Sequence, residues 1–281
     1  MPADSSFRRR LKKILFPILN QRSYQLFQCA AKAWDIRTGA WTEPELDLIR
    51  PGVSAGDTAL DIGANYGLYA YHLSRAVGPT GRVYAFEPVP FTSGTFRWVG
   101  RLLRFKNVQL VPKGCSNRSG RIAFTLPIQS VGPMSAGLAH LANRNNEREG
   151  KLTHFPYQRT EEIQCEVIAL DDYLPDVHNL SFIKCDIEGA ELLAFQGARK
   201  IITRHLPTVL CEINPWFLEG FGLKLQDLLD FFFDLGYHLY RYEEHGKRRI
   251  LKAVGPEEVI EDNYLFLHPS REKPFQFLIP R

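Results

Sequence analysis

The chain has no long apolar run. None of its hydrophobic stretches approaches the ~20 residues that a membrane-spanning helix needs. Residues 7–19 start with basic side chains and continue with Ile14, Leu15 and Phe16, as a signal peptide does, but Pro17 interrupts the apolar part. No small-residue cleavage site follows closely, so we predict neither a spanning helix nor an export signal.

Cysteine is scarce and has no pattern. Five cysteines are scattered along 281 residues, and no two of them form a C-x-x-C pair. The odd number and the spacing argue against a disulfide framework and against a zinc site. Cys185 and Cys211 lie within apolar runs and are expected to be small buried hydrophobes. These features favour a reducing, cytoplasmic setting.

Excess charge is also small, with a formal net charge of +4. Much of it lies near the amino terminus, at Arg8, Arg9, Arg10, Lys12 and Lys13. The remainder is close to neutral, so no nucleic-acid partner is expected. The basic segment is either a frayed terminus or a short helix in weak contact with an anionic membrane surface or a partner.

What the sequence does have is a regular alternation of strand-like and helix-like segments. It predicts an α/β fold with a mostly parallel, seven-stranded sheet and helices on both faces. Residues 1–50 are predicted to form a basic segment and helices, and residues 51–281 the main domain. A polar stretch at about 127–160 is predicted to be an insertion, and residues 121–126 and 163–168 on either side could pair as a hairpin. The oligomeric state is not predicted.

The clearest motif is a glycine turn, Asp-Ile-Gly-Ala-Asn-Tyr-Gly at 61–67, between a strand predicted at 58–62 and a helix predicted at about 68–77. Gly63 and Gly67 are expected to let the backbone turn tightly and approach a ligand without a Cβ in the way. Such a strand end is where open α/β sheets bind ligands. The spacing G-x-x-x-G departs from the dinucleotide pattern, because Asn65 replaces the middle glycine that admits a pyrophosphate. Asp61 is expected to receive a ligand's ammonium group, directly or through water. Glu87, which closes the next strand, is expected to accept hydrogen bonds from ribose hydroxyls.

A second group of carboxylates, Asp186, Glu188 and Glu191, lies between the strand predicted at 180–185 and the first turn of a helix predicted at 190–204. These residues either cap the next helix through its macrodipole or act in catalysis, with Asp186 orienting or deprotonating an acceptor. Glu212 and Asn214 point the same way from a later strand. With Asp186 they either bind Mg²⁺ through oxygen ligands or form hydrogen bonds within the loop and to the substrate.

Four segments resemble the FkbM family of methyltransferases: residues 61–67, Ala-Phe-Glu-Pro-Val-Pro at 85–90, Leu-Asp-Asp-Tyr at 170–173 and Phe-Ile-Lys-Cys-Asp-Ile-Glu-Gly-Ala-Glu at 182–191. The resemblance covers roughly residues 55–215. It implies a Rossmann-like class I methyltransferase fold, S-adenosyl-L-methionine (SAM) as the donor, and O-methylation of a hydroxyl on a sugar or natural-product-like small molecule. Ser116 and Asn117 follow the third strand, where such enzymes often contact adenine. The expected cofactor-binding residues are therefore Asp61, Gly63, Ala64, Asn65, Tyr66, Gly67, Glu87, Pro88, Ser116 and Asn117.

Three alternatives stay open. An NAD-dependent oxidoreductase would share the sheet and Glu87, and a non-catalytic SAM-fold binding protein would keep the core. N-methylation is also possible, because a carboxylate serves both kinds of acceptor. His140 and His154, in the predicted insertion, are further candidates for the base. The expected partner is a small-molecule or glycan acceptor.

Overall fold

In a computed structural model of the chain, the described residues are 21–129, 140–141, 157–246 and 248–280. The basic residues at positions 8–13 and His154 lie outside them. His140 belongs to a short strand whose side chains are not described. The predictions for the basic segment and for the two histidines therefore stay predictions.

Nine helices occur in this part of the chain. They are α1 (Gln21–Thr38), α2 (Ile49–Gly52), α3 (Leu68–Val77), α4 (Pro90–Leu103), α5 (Leu170–Tyr173), α6 (Glu191–Gln196), α7 (Arg199–His205), α8 (Pro215–Gly220) and α9 (Leu225–Phe233). Short 3₁₀ turns lie at Pro44–Leu48, Pro256–Glu258, Pro269–Arg271 and Lys273–Phe275. No helix among the described residues combines the length and apolar character needed to cross a membrane.

The central sheet has eight strands. They are β1 (Thr58–Ile62), β2 (Arg82–Phe86), β3 (Val108–Val111), β8 (Leu180–Cys185), β9 (Thr208–Ile213), β10 (His238–His245), β11 (Arg248–Ala253) and β12 (Asp262–Leu267), in the spatial order β11-β10-β12-β9-β8-β1-β2-β3. The five strands from β9 to β3 are parallel, whereas β12, β10 and β11 add antiparallel pairs. The predicted fold class is confirmed. The sheet contains β11 in addition to the seven predicted strands.

A smaller sheet follows β3. It consists of β4 (Gly114–Cys115), β5 (Gly120–Gln129), β6 (His140–Leu141) and β7 (Tyr157–Ile168) in the order β4-β7-β5-β6. The predicted hairpin is present, because β5 pairs antiparallel with β7. The strands extend to Gln129 and resume at Tyr157, so the stretch predicted as a polar insertion at 127–160 starts and ends within strands.

Apolar side chains alternate between the two faces of the central sheet, as parallel strands covered by helices require. One face carries Leu60, Ile62, Ile183 and Cys185 into a large core under α6, α7 and α9. The opposite face carries Ala59 and Phe182 under α2 and α3. By the same alternation, Asp61 and Lys184 project on this second face, and they are register partners across β1 and β8.

The amino-terminal helices pack on the main domain. Cys29, Ala33 and Ile36 of α1 form a cluster with Leu68 of α3 and Val99 of α4. Helix α2 spans the predicted boundary between residues 50 and 51. The division at that boundary stays a prediction.

Candidate functional site

The turn after β1 is held by close backbone packing. Gly63 has φ +84°, and a Cβ at this position would overlap the carbonyl oxygen of Asp186. Gly67, with φ +93°, packs against the ring of Phe96. Both glycines are required by contacts within the protein, whereas the sequence had suggested that they make room for a ligand. Asn65 also has a left-handed backbone, with φ +47°, which asparagine tolerates better than most residues.

Glu87 joins this turn to the end of β2. Its Oε2 accepts a hydrogen bond from the Asn65 N–H at 3.0 Å, and its Oε1 accepts one from the Val89 N–H at 3.0 Å. Only 6% of Glu87 is exposed, and burial raises its pKa to about 7. Each carboxylate oxygen retains a further lone pair. The buried Oδ1 of Asn65 has no hydrogen-bond partner among the described residues.

A cavity of about 250 Å³ opens at the carboxyl ends of β1, β2, β8 and β9. Four acidic residues contribute to its wall, and no basic residue does. The lining residues are Ile62, Gly63, Asn65, Phe86, Glu87, Pro88, Val89, Gly114, Cys115, Asp186, Ile187, Glu188, Ala190 and Glu212. The cavity therefore lies at the carboxyl ends of the strands, the edge of the sheet at which the glycine turn predicts a ligand site.

The two carboxyl groups of Asp186 and Glu212 meet inside the cavity. Burial, together with the charge of the neighbouring Asp186 and a hydrogen bond to it, raises the pKa of Glu212 to about 8. Glu188 has a left-handed backbone with φ +55°, and burial raises its pKa well above the ordinary value. Near neutral pH, Glu212 is therefore largely protonated.

Lys184 is a site residue that the sequence reasoning missed. Its side chain is 2% exposed, and its Nζ lies 3.8 Å from Oδ2 of Asp186 and 2.9 Å from Oδ1 of Asn263. Burial alone would lower the pKa of Lys184, but the carboxylates of Asp186 and Glu212 raise it above the ordinary value. A lysine within the apolar strand Phe-Ile-Lys-Cys at 182–185 was the available signal, since lysine is rarely buried unless it is paired.

Asp61 lies behind the cavity wall. It is 1% exposed, and burial raises its pKa to about 7 while the charge of Lys184 opposes this rise. Its Oδ2 has no hydrogen-bond partner among the described residues. The carboxylate of Asp61 faces Lys184 beneath the turn and not the cavity, so its contact with a ligand, directly or through water, stays a prediction.

Several other predicted contacts also lie outside the cavity. Ala64 is 4% exposed and donates its N–H to the carbonyl of Phe86. The ring of Tyr66 lies under Nζ of Lys32, 5.1 Å away. Among the predicted cofactor-binding residues, Gly63, Asn65, Glu87 and Pro88 line the cavity, whereas Asp61, Ala64, Tyr66, Gly67, Ser116 and Asn117 do not.

Ser116 and Asn117, the residues predicted to contact adenine, do not line the cavity, whereas the two residues before them do. Gly114 and Cys115 of β4 line the cavity. Ser116 is buried beside Gly197, and Asn117 donates to Oε1 of Gln196 at 3.4 Å. Because β4 pairs with β7, the chain turns away from the cavity directly after Cys115.

The position of Glu191 does not support its predicted catalytic role. Glu191 is 2% exposed and does not line the cavity. Its Oε1 accepts hydrogen bonds from the N–H groups of Ile187 and Gly189, at 3.1 and 3.0 Å. The side chain closes the turn that carries Asp186 and Glu188, so it positions these residues without reaching the cavity.

The predicted Mg²⁺ ligand set is not assembled either. Asn214 is the N-cap of α8, where its Oδ1 accepts hydrogen bonds from the N–H groups of Trp216 and Phe217. Asn214 does not line the cavity with Asp186 and Glu212. Within the described ranges, no group of three His, Cys, Asp or Glu side chains is arranged to bind a metal ion.

A family model and a curated relative that match the chain are both described as methyltransferases. The family model described as "Methyltransferase FkbM domain" matches residues 61–239. A curated relative, "Methyltransferase 1" of Beauveria bassiana (strain ARSEF 2860), is 29% identical over 145 residues, which are 49% of this chain and 57% of that protein. The aligned part is thus little more than half the length of that relative.

Solved structures of methyltransferases are also similar to the chain. The crystal structure of Methyltransferase FkbM from Methylobacillus flagellatus KT has a TM-score of 0.45 at 19% identity, covering 75% of this chain and 43% of that one. A SAM dependent methyltransferase from Aquifex aeolicus has a TM-score of 0.39 at 16% identity, covering 80% and 88%.

Proposed function

Because the chain belongs to the FkbM methyltransferase family, we propose that it transfers the methyl group of SAM to a hydroxyl oxygen of a small molecule, such as a sugar or a natural-product-like compound. One observation carries this proposal. A single cavity combines the anchored carboxylate of Glu87 with the paired carboxyl groups of Asp186 and Glu212. The first suits a nucleoside donor, and the second suits an acceptor that must lose a proton.

The donor side of the cavity fits SAM. Glu87 is held by two backbone N–H groups and keeps lone pairs for the two ribose hydroxyls. The unpartnered Oδ1 of Asn65 is a further acceptor beside it. Bound SAM supplies a methyl group that is already activated by the positive charge on its sulfur. Cys115 and Phe86 give the cavity an apolar wall against which a purine would pack.

On the acceptor side, Asp186 serves as the general base. The acceptor oxygen forms a bond to the methyl carbon, the bond between that carbon and sulfur breaks, and the hydroxyl proton passes to the carboxylate of Asp186. Glu212 already carries a proton near neutral pH, so it donates a hydrogen bond to Asp186 and does not compete with it for the acceptor proton. The Lys184 ammonium, 3.8 Å from Asp186, stabilises the carboxylate that this role requires.

Alignment and proton removal are the two contributions that the protein makes. Holding the reactants in line is worth about 7–11 kcal/mol, and a positioned base adds roughly 10²–10⁴-fold in rate. Glu188, which borders the cavity and whose pKa is raised by burial, orients a polar acceptor by hydrogen bonds. No step is assigned to Mg²⁺, because Asn214 is engaged as a helix cap.

N-methylation is the main alternative within this family, since Asp186 would also accept a proton from an amine. Protonated Glu212 favours the hydroxyl acceptor, because a hydroxyl oxygen accepts a hydrogen bond with one lone pair and attacks with the other, whereas a neutral amine has a single lone pair. An NAD-dependent oxidoreductase is disfavoured by family membership and by Asn65 in the middle-glycine position. The five buried, free cysteines support a reducing, cytoplasmic setting.

The donor site is tested by calorimetric titration with S-adenosylhomocysteine (SAH). We expect binding by the wild type and by Glu219→Gln, a variant at an exposed glutamate. Glu87→Gln should weaken binding at least about tenfold, because a charged acceptor contributes roughly 1.5–3 kcal/mol to a hydrogen bond. Absence of SAH binding by the folded wild type would refute the proposed donor site.

The reaction is tested with SAM carrying a deuterated methyl group and a panel of glycosides, phenols and amines. Product mass and fragmentation distinguish O- from N-methylation. Asp186→Asn should lower kcat about 10²–10⁴-fold while SAH binding is retained. Turnover of amines alone would refute the hydroxyl acceptor. SAH binding without turnover of any compound would favour the non-catalytic alternative.

A further inference from the structure

Helices α1 and α4 pack side by side and leave large apolar side chains in solvent. The Sγ of Cys29 on α1 contacts the carbonyl of Thr95 on α4. On α1, Leu26 lies one turn before Cys29. On α4, Trp98 and Leu102 lie one and two turns after Thr95, so these three apolar residues are close to the line along which the helices touch. Leu26 is 50% exposed, Trp98 44% and Leu102 50%.

Two further aromatic residues extend this area over α1. Trp34 is 64% exposed and Phe27 is 37% exposed, and the two are seven residues apart on one face of the helix. We call the area formed by these five side chains, Leu26, Phe27, Trp34, Trp98 and Leu102, the α1–α4 surface. Several large apolar side chains exposed on two neighbouring helices are more typical of an interaction site than single exposed apolar residues are.

The exposed charged side chains that the structure describes on α1 and α4 have one sign. Arg37, Arg97, Arg101 and Arg104 are exposed on the two helices or directly after α4. Helix α4 contains no acidic residue, and the one acidic residue of α1, Asp35, is only 4% exposed. The guanidinium of Arg101 lies 5.0 Å from the ring centre of Trp98, so cation and aromatic ring form one unit.

Exposed tryptophans combined with arginines and no exposed acid are the composition of an interfacial membrane contact. Tryptophan rings lie at the level of lipid headgroups, and basic side chains are attracted to anionic lipids. From these observations we propose that the α1–α4 surface binds an anionic lipid membrane. The basic residues Arg8, Arg9, Arg10, Lys12 and Lys13 precede α1 in the sequence and carry charge of the same sign.

Helix α1 also contacts the turn that borders the cavity. Lys32 of α1 lies over the rings of Trp41 and Tyr66, at 4.2 and 5.1 Å. Tyr66 is the neighbour of Asn65, which lines the cavity. Lys32 and Trp34 lie on different faces of α1, so α1 contacts the turn at 63–67 on one side and carries part of the α1–α4 surface on another. The proposal does not depend on the methyltransferase reaction.

The test is co-sedimentation of the full-length protein with phosphatidylcholine vesicles and with vesicles that also contain phosphatidylserine. We expect binding to the anionic vesicles only, weakened by added salt. Replacing Trp34 and Trp98 together by alanine should weaken binding at least about tenfold. The matched control replaces Ile260 and Phe277, which are 58% and 76% exposed elsewhere, by alanine and should bind as the wild type does.

A second pair of variants tests the charge. Replacing Arg97 and Arg101 by glutamine should weaken binding by about 25-fold, at roughly fivefold for each cation, whereas Arg248→Gln at an exposed position on β11 should have little effect. Folded protein that ignores anionic vesicles would overturn the proposal. Binding that survives the loss of both tryptophans would also overturn it. So would a wild-type protein that does not bind vesicles but forms a dimer in solution, if the tryptophan variant is monomeric.

Discussion

Gly63→Ala should destabilise the protein more than its backbone conformation alone explains. A non-glycine residue in the left-handed region costs about 1–2 kcal/mol, and this cost applies at Gly63, with φ +84°, and equally at Gly236, with φ +82°. The two positions differ in their surroundings. A Cβ at Gly63 would overlap the Asp186 carbonyl oxygen and lie 2.9 Å from the carbonyl carbon, whereas at Gly236 the nearest atom, Nε2 of His268, is 3.5 Å away.

The overlap at Gly63 involves backbone, so no side-chain rotation relieves it. Overpacking of this kind typically costs a further 1–3 kcal/mol or so, which gives about 2–5 kcal/mol for Gly63→Ala against about 1–2 for Gly236→Ala. Urea unfolding followed by circular dichroism measures the free energy of unfolding of both variants. Equal dependence of this free energy on urea concentration would show that the same transition is compared. Equal losses in the two variants would refute the inference that the β1 turn and the β8 loop touch through their backbones.

Three further predictions concern buried polar groups. Burial raises the pKa of Glu191 from 4.5 to about 7, so the contribution of this residue to the free energy of unfolding is fully present below about pH 4.5 and is lost as the pH rises through about 7. Glu191→Gln should remove up to roughly 3 kcal/mol of this decline. An unchanged pH dependence of urea unfolding in the variant would contradict the prediction. Asn214→Ala should cost about 1 kcal/mol through loss of the α8 cap, and Asn214→Asp much less; equal unfolding free energies for the two variants would count against a capping role. Lys184→Met should cost about 1–3 kcal/mol, because Oδ1 of Asn263 loses its hydrogen-bond donor and Asp186, whose side chain is 36% exposed and partly screened by solvent, loses its counter-charge. Lys200→Met at an exposed position serves as the control. Similar melting temperatures for both variants would show that Lys184 is not electrostatically important.

Where the sequence predicts local structure well, the reason is local chemistry. Strand β1 and helix α3 have the bounds that the sequence suggests, because a short apolar run, a glycine turn and a closing Gly78 define them. Strand β11 was missed because its polar composition resembles a loop. The turn before it, at Gly246 with φ +63°, was the available hairpin signal.

The remaining differences depend on contacts between distant segments. The helix predicted at 190–204 is divided into α6 and α7, and the break adjoins Gly197, which packs against the carbonyl of Ser116. Composition showed that carboxylates gather at the edge of the sheet, but it did not show their directions. Glu191 turns back to its own loop and Asn214 caps a helix, whereas Asp186 and Glu212 face the cavity.

The contact between Gly63 and Asp186 bears on how such an enzyme could acquire a new acceptor. The turn proposed to hold the donor and the segment proposed to hold the base touch through the main chain, so few substitutions can alter their separation without loss of folding. Variation is tolerated more readily at Glu188, Ala190 and Val89, whose side chains border the cavity without fixing that separation. In directed evolution, libraries at these three positions should change acceptor preference while the geometry of transfer is inherited unchanged.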